Sequence, residues 1–133
     1  MYKCPCCQQP SHRTKIDVQS VEQAVEKDKL TAKELFKRTY IGHGSQSSVF
    51  VFQGHKGPFK KHVHVTHDEI GYVLRGSGKV VVGDVVREVR QGDVWVIPAN
   101  TPHGGEFQTE PTQVLFISSP IDDPDNPDRV WLE

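Results

Sequence analysis

Cysteine is scarce in this 133-residue chain: three occur, all within the first seven residues. That odd number, so tightly spaced, gives no framework of disulfides. No apolar run approaches the roughly 20 residues needed to span a bilayer, and the opening MYKCPCCQQP lacks the apolar core of a secretory signal. An excess of one charge is missing as well. Sixteen Lys and Arg against seventeen Asp and Glu leave a formal charge of −1. Such balance offers no electrostatic footprint for nucleic acid or an anionic membrane. The chain shows neither an internal repeat nor a low-complexity tract. These absences set the expectation of a soluble, reduced, cytoplasmic protein, a single domain large enough to bury one core.

What is present changes character along the chain. Residues 1–39 form a polar, Cys-containing tail followed by short helical pieces. Cys4, Cys6, Cys7 and His12 could in principle fill a tetrahedral zinc shell, but C-x-C-C is not the paired C-x2-C spacing, and free thiols are the expected state. Ser20-x-x-Gln23 opens one helix as a capping box and Thr31-x-x-Glu34 opens another, with Leu30 placed to staple onto Leu35. Both pieces are short and charged on most sides, so they read as an appendage laid on a core.

Residues 40–120 consist of short β-branched and aromatic runs punctuated by Gly, Pro, Asn and Asp. Strands are expected near Ser48–Gln53, Phe59–Val65, Glu69–Arg75, Gly78–Val82, Val85–Val89, Asp93–Ile97, Gly104–Gln108 and Gln113–Ser118. Gly83-Asp84 and Gln91-Gly92-Asp93 are tight hairpin signals. Regular short strands with no helix between them predict an all-β sandwich or barrel. Residues 121–133, rich in Pro and Asp, should run as an irregular strap anchored in an apolar groove by Trp131 and Leu132.

The stretch GPFKKHVHVTHDEIGYVLRG carries the chemistry. His62 and His64 are two apart, so on a strand they share a face. Glu69 follows a short bend and can return a carboxylate toward them, and His103 offers a further donor from GDVWVIPANTPHGG. Imidazole nitrogens with one anionic oxygen suit a borderline divalent metal. His67 lies at the bend, out of phase with the pair, and is expected to be a solvated turn residue.

Gly57…His62-x-His64-x4-Glu69-x6-Gly76 resembles the first motif of the cupins, and Gly92-x5-Pro98-x4-His103 resembles the second. The short spacer between them is similar to that of small single-domain cupins. The resemblance implies a double-stranded β-helix, or jelly-roll, barrel with His62, His64, Glu69 and His103 as ligands of one divalent ion, Fe, Mn, Ni or Zn. It also implies a homodimer. Three departures stand out. One residue fewer separates Gly57 from His62, Asn100 stands where glycine is common, and Phe107 replaces a frequent Asn. Asn tolerates the left-handed backbone, so the turn at Asn100 can survive.

Lys60 shares parity with His62 and His64 and could hold a substrate carboxylate at the barrel mouth. Phe107 shares parity with His103 and is a candidate apolar wall. Trp95 and Tyr72 are candidates for the cavity lining, or for packing between strands or across a dimer contact. No residue stands out as a general base. The expected function is a metal-dependent cupin acting on a small carboxylate- or enol-bearing metabolite, with dioxygenase or oxidoreductase chemistry favoured. The alternatives are a non-redox lyase, isomerase or decarboxylase, and a binding module without turnover.

Overall fold

The structure, a computed structural model, describes residues 18–132. The Cys4, Cys6, Cys7 and His12 group therefore lies outside the described residues. One helix, α1 (Val21–Lys27), is followed by ten strands: β1 (Phe36–His43), β2 (Ser48–Gly54), β3 (Gly57–Val63), β4 (Asp68–Arg75) and β5 (Ser77–Val82), then β6 (Val85–Arg90), β7 (Val94–Ile97), β8 (His103–Phe107), β9 (Thr112–Ser119) and β10 (Val130–Trp131). They form two antiparallel five-stranded sheets, ordered β1-β2-β9-β4-β7 and β10-β3-β8-β5-β6. Apart from the β1–β2 and β5–β6 hairpins, each strand hands the chain to the opposite sheet. The result is the jelly-roll, double-stranded β-helix arrangement.

Alternation of side chains builds the interior. In β4, Glu69, Gly71 and Val73 are buried while Asp68, Ile70 and Tyr72 are exposed, the period-2 pattern of a sheet with one covered face. Gly71 is needed for the fit: a Cβ there would sit 2.8 Å from the Trp95 ring and 3.0 Å from that of Phe116. Val73, Val80 and Val89 form a buried cluster at one end, with Phe59 and Trp95 against it. Aromatic rings line the space between the sheets: Phe59 and Phe107 pack with centroids 4.6 Å apart and planes tilted by 30°, and Phe52 lies 5.8 Å from Phe107.

The outer face of β2 is covered too. Buried Gln53 accepts a hydrogen bond from the Leu30 N–H and donates to the Asp28 carbonyl and the Thr39 hydroxyl. This ties the segment after α1 to the first sheet. The Ser20 cap forms, its hydroxyl accepting from the Gln23 N–H at 3.2 Å. The second helix does not. Thr31 and Glu34 make the side-chain contact of a capping box, with Thr31 N–H and Oγ1 both donating to Glu34, but the chain turns and enters β1 instead. Leu35 is 89% exposed rather than stapled, because pairing with β2 and stacking of Phe36 on Phe52 at 5.4 Å outweigh the local helix signal.

Gly83-Asp84 is a hairpin turn as expected, joining the paired residues Val82 and Val85. Gln91-Gly92-Asp93 is not one. It carries the chain from β6 in one sheet to β7 in the other. The tail also differs: Val130 and Trp131 add a short strand to the edge of β3, opposite Val63 and His62. Trp131 is 42% exposed, with its ring 6.1 Å from that of Phe36 and 5.3 Å from that of His62.

Candidate metal centre

His62 lies near the end of β3 and His64 just after it, Glu69 begins the inward face of β4, and His103 opens β8. The three imidazoles meet: ring centroids are 4.9 Å apart for His62 and His64, 4.2 Å for His62 and His103, and 5.0 Å for His64 and His103. One nitrogen from each lies within 4.8 Å of the others. Glu69 Oε1 stands 3.1 Å from His64 Nε2 and 3.9 Å from His103 Nε2. The four side chains expected as ligands are thus brought together at one end of the barrel.

Main-chain carbonyls orient all three rings. Nδ1–H of His62 donates to the Lys60 carbonyl at 2.9 Å, that of His64 to the Asp128 carbonyl at 2.6 Å, and that of His103 to the Thr101 carbonyl at 2.9 Å. In the neutral rings Nε2 is then the nitrogen that carries the lone pair, the tautomer a metal ligand needs. The bend after β7 supports this placement. Asn100 takes φ 60° and its N–H donates to the His64 carbonyl at 2.6 Å.

The electrostatics are those of a site built around a cation. Burial pushes His62 down to about 4, and burial likewise lowers His103, so both stay neutral at pH 7. Burial is the largest influence on His64 and opposes its charge, but the hydrogen bond and charge of Glu69, the Asp128 carbonyl and the Asp122 charge together outweigh it and the net direction is upward. Burial opposes the Glu69 anion too. The contacts with His64 and His67 prevail and hold it well below the usual carboxylate range. A single proton can bridge His64 and Glu69, yet the buried Nε2 atoms of His103 and His67 still have no hydrogen-bond partner. Buried polar atoms without partners are rare and call for a cause. A divalent ion fits, because it satisfies several lone pairs and the carboxylate at once.

His67 is not the solvated turn residue the sequence suggested. It is 1% exposed, its Nε2 is 3.6 Å from Glu69 Oε2, and its Nδ1 is 3.0 Å from Asp128 Oδ2. With His64 and Glu69 it forms a second triplet of possible metal-holding atoms. The strap supplies what sequence reasoning missed altogether. The Asp128 carboxylate accepts from the N–H groups of Val65 (3.1 Å) and Thr66 (2.7 Å), from the Thr66 hydroxyl (2.7 Å) and from His67. Asp122, buried, pairs with Arg38 and accepts from the Asp128 N–H. Only the acid-rich composition of the tail hinted at either residue.

Above the cluster opens a cavity of about 460 Å³ whose walls include Phe52, Phe59, Phe107, Phe116, Trp95 and Trp131. Lys60, Trp95 and Phe107 line it, as the sequence suggested. Tyr72 does not: it follows the inward Gly71, so the pleat turns it to the outer face, where it is 44% exposed. Arg38 and Arg129 also line the cavity.

A closed antiparallel β-helix with a histidine and carboxylate cluster inside it is the architecture of a β-barrel able to hold a metal and a small ligand. The cupin domain family model matches residues 48–118, and the chain belongs to the cupin family. Among solved structures, a Klebsiella pneumoniae protein with a double-stranded β-helix domain is 21% identical with a TM-score of 0.70, covering 87% of this chain and 96% of that one. KdgF from Halomonas sp. is 26% identical with a TM-score of 0.63, covering 68% and 85%. The Streptomyces nucleoside dehydratase Pac13 is 16% identical with a TM-score of 0.64, covering 77% and 82%. An uncharacterized protein of Methanocaldococcus jannaschii, MJ1618, is 38% identical over 60 residues, 44% of this chain and 48% of that protein. The match therefore spans about half the length of that relative.

Proposed function

We propose that the chain is a metal-dependent cupin enzyme acting on a small oxygenated metabolite that bears a carboxylate or enol, with oxidoreductase chemistry of the dioxygenase type. The observation that carries this is the convergence of His62, His64 and His103, each with its Nδ1–H spent on a main-chain carbonyl, beside the Glu69 carboxylate in the wall of an aromatic cavity. A divalent ion held by His62, His64, Glu69 and His103 would supply about one net positive charge, open positions for a chelating oxygen donor and, as iron, a route to dioxygen.

The chain's own residues do the rest. Lys60 O, Asp128 O and Thr101 O fix the rings. His67, tied to Asp128 through Nδ1, keeps its Nε2 3.6 Å from the Glu69 carboxylate. Phe52, Phe59, Phe107 and Phe116 keep water away, which suits chemistry spoiled by water better than hydrolysis. Lys60 offers a cation at the wall for an acidic substrate.

The outer face of β4 and β7 supports a homodimer. Ile70 pairs with Val96 and Tyr72 with Val94 across the two strands, and all four are exposed.

The test is elemental analysis of protein purified without added metal, then oxygen uptake with iron-loaded protein on a panel of small 2-oxo acids, enols and diols. About one ion per chain and substrate-dependent oxygen consumption are expected. Turnover without oxygen consumption moves the reaction to the lyase, isomerase or decarboxylase class. Metal and ligand binding with no turnover makes the chain a binding module. Absence of any bound metal overturns the reading.

A further inference from the structure

Three cations line the cavity, Arg38, Lys60 and Arg129, and they are not equivalent. Arg38 is already spoken for: its guanidinium pairs with the buried Asp122 carboxylate and lies 4.1 Å over the Phe50 ring. Arg129 has no such partner. Among the described residues it makes no ion pair and no hydrogen bond, and what holds it are the faces of Trp131 at 4.5 Å and Phe36 at 5.5 Å. A guanidinium covered on its faces keeps its edge free, and that edge carries five N–H donors in a fork matching a carboxylate. Burial and the neighbouring Arg38 charge disfavour its cationic form and outweigh the more weakly felt carboxylates of Asp122 and Glu69, and neither of those acids pairs with the guanidinium directly. Lys60 approaches the same indole at 5.7 Å and is likewise without an acid partner among the described residues.

We propose that Arg129, assisted by Lys60, is the carboxylate-recognition residue of the cavity, which makes the ligand class small monocarboxylates with an apolar body. The carboxylate lies at the Trp131 end, and the apolar part rests on Phe52, Phe59 and Phe107, leaving any second oxygen to face the histidine cluster. This rests on reading the cavity as the substrate pocket under Proposed function, but not on which metal is bound. Arg129 thus sets substrate charge, while the histidines and Glu69 serve the chemistry.

Both tryptophans of the chain, Trp95 and Trp131, line the cavity, so intrinsic fluorescence reads occupancy without turnover. Benzoate and benzamide, alike in shape and different in charge, are titrated into the full chain and into Arg129→Met and Arg129→Lys, each as purified and after chelator treatment. The native chain should bind benzoate at least about tenfold more tightly than benzamide, as expected for a charge-assisted pair. Arg129→Met should erase that preference, with benzoate losing far more affinity than benzamide, and Arg129→Lys should keep part of it. Arg129→Gln replaces the Met variant if that one fails to fold. Equal binding of the two probes by the native chain overturns the proposal, as does unchanged benzoate affinity in the Met or Gln variant. The two readings fail separately. A benzoate preference that survives chelation in a chain purified without metal keeps Arg129 and removes the metal, whereas a metal-loaded chain indifferent to probe charge does the reverse.

Discussion

Replacing Asp128 by Ala tests whether the strap is part of the site or only drapes over it. The carboxylate accepts four hydrogen bonds, from Val65 N–H, Thr66 N–H, Thr66 Oγ1 and His67 Nδ1. Val65 and Thr66 are exposed, so water takes over those donors and their loss costs about 1 kcal/mol in all. His67 is 1% exposed. Its orphaned N–H therefore costs the desolvation penalty of a buried donor, about 1–3 kcal/mol. The sum is about 2–4 kcal/mol, a sizeable part of the about 5–15 kcal/mol that holds a typical domain. Urea unfolding followed by tryptophan fluorescence measures it. The same variant should lose about 10–100-fold in metal affinity, since the bend between His64 and Glu69 then loses its tie to the strap. The pH dependence has a definite sign. Burial opposes the Asp128 anion, but the hydrogen bonds from Thr66 and Val65 win and lower it to about 2. A depressed carboxylate contributes stability above its unfolded value and loses it as pH falls. The gap between native and variant should be full at neutral pH and close between about pH 4 and about pH 2. A variant within about 0.5 kcal/mol of native at neutral pH, a change typical of an ordinary surface site, would refute the reasoning.

Other outcomes follow from the same geometry. His64→Ala and Glu69→Gln should each purify folded by circular dichroism yet without metal by elemental analysis; full metal content in both would dismiss the assigned ligands. Phe107→Ala removes a ring that is 5% exposed and should cost about 3 kcal/mol in urea unfolding, the low end for such a truncation, because one side of the ring already borders the cavity. Light scattering of the native chain should give a dimer, and Val96→Lys with Ile70→Lys a monomer; a native monomer, or a dimer in the double variant, excludes the β4–β7 face as the contact.

Much of the site is legible in the chain because strand alternation is a strict rule. His62 and His64 share a face through their spacing alone, and Asn100 does adopt the backbone its side chain tolerates. The same rule, applied from Glu69, already turns Tyr72 outward. His67 escapes it, since a bend residue has no phase to read. Asp128 was out of reach for another reason. It contacts Thr66 from 62 positions away, and no local pattern announces a partner so distant. The helix expected after Thr31 failed because a capping pair fits a turn as well as a helix, and only the pairing with β2 decides between them. Arg129 is a single cation in an acidic strap, with no local pattern to mark it. Its role depends on the aromatic faces around it, which only the folded chain assembles.

The carbonyls that hold the three imidazoles have a consequence for how such a barrel can change. Main-chain oxygens belong to the backbone path, so exchanging the side chains at Lys60 or Thr101 leaves the grip on His62 and His103 in place. The walls are different: every phenylalanine, tryptophan or arginine facing the hollow can be swapped for a side chain of another size or charge. The scaffold can drift to new ligands while its metal-holding apparatus stays as it was.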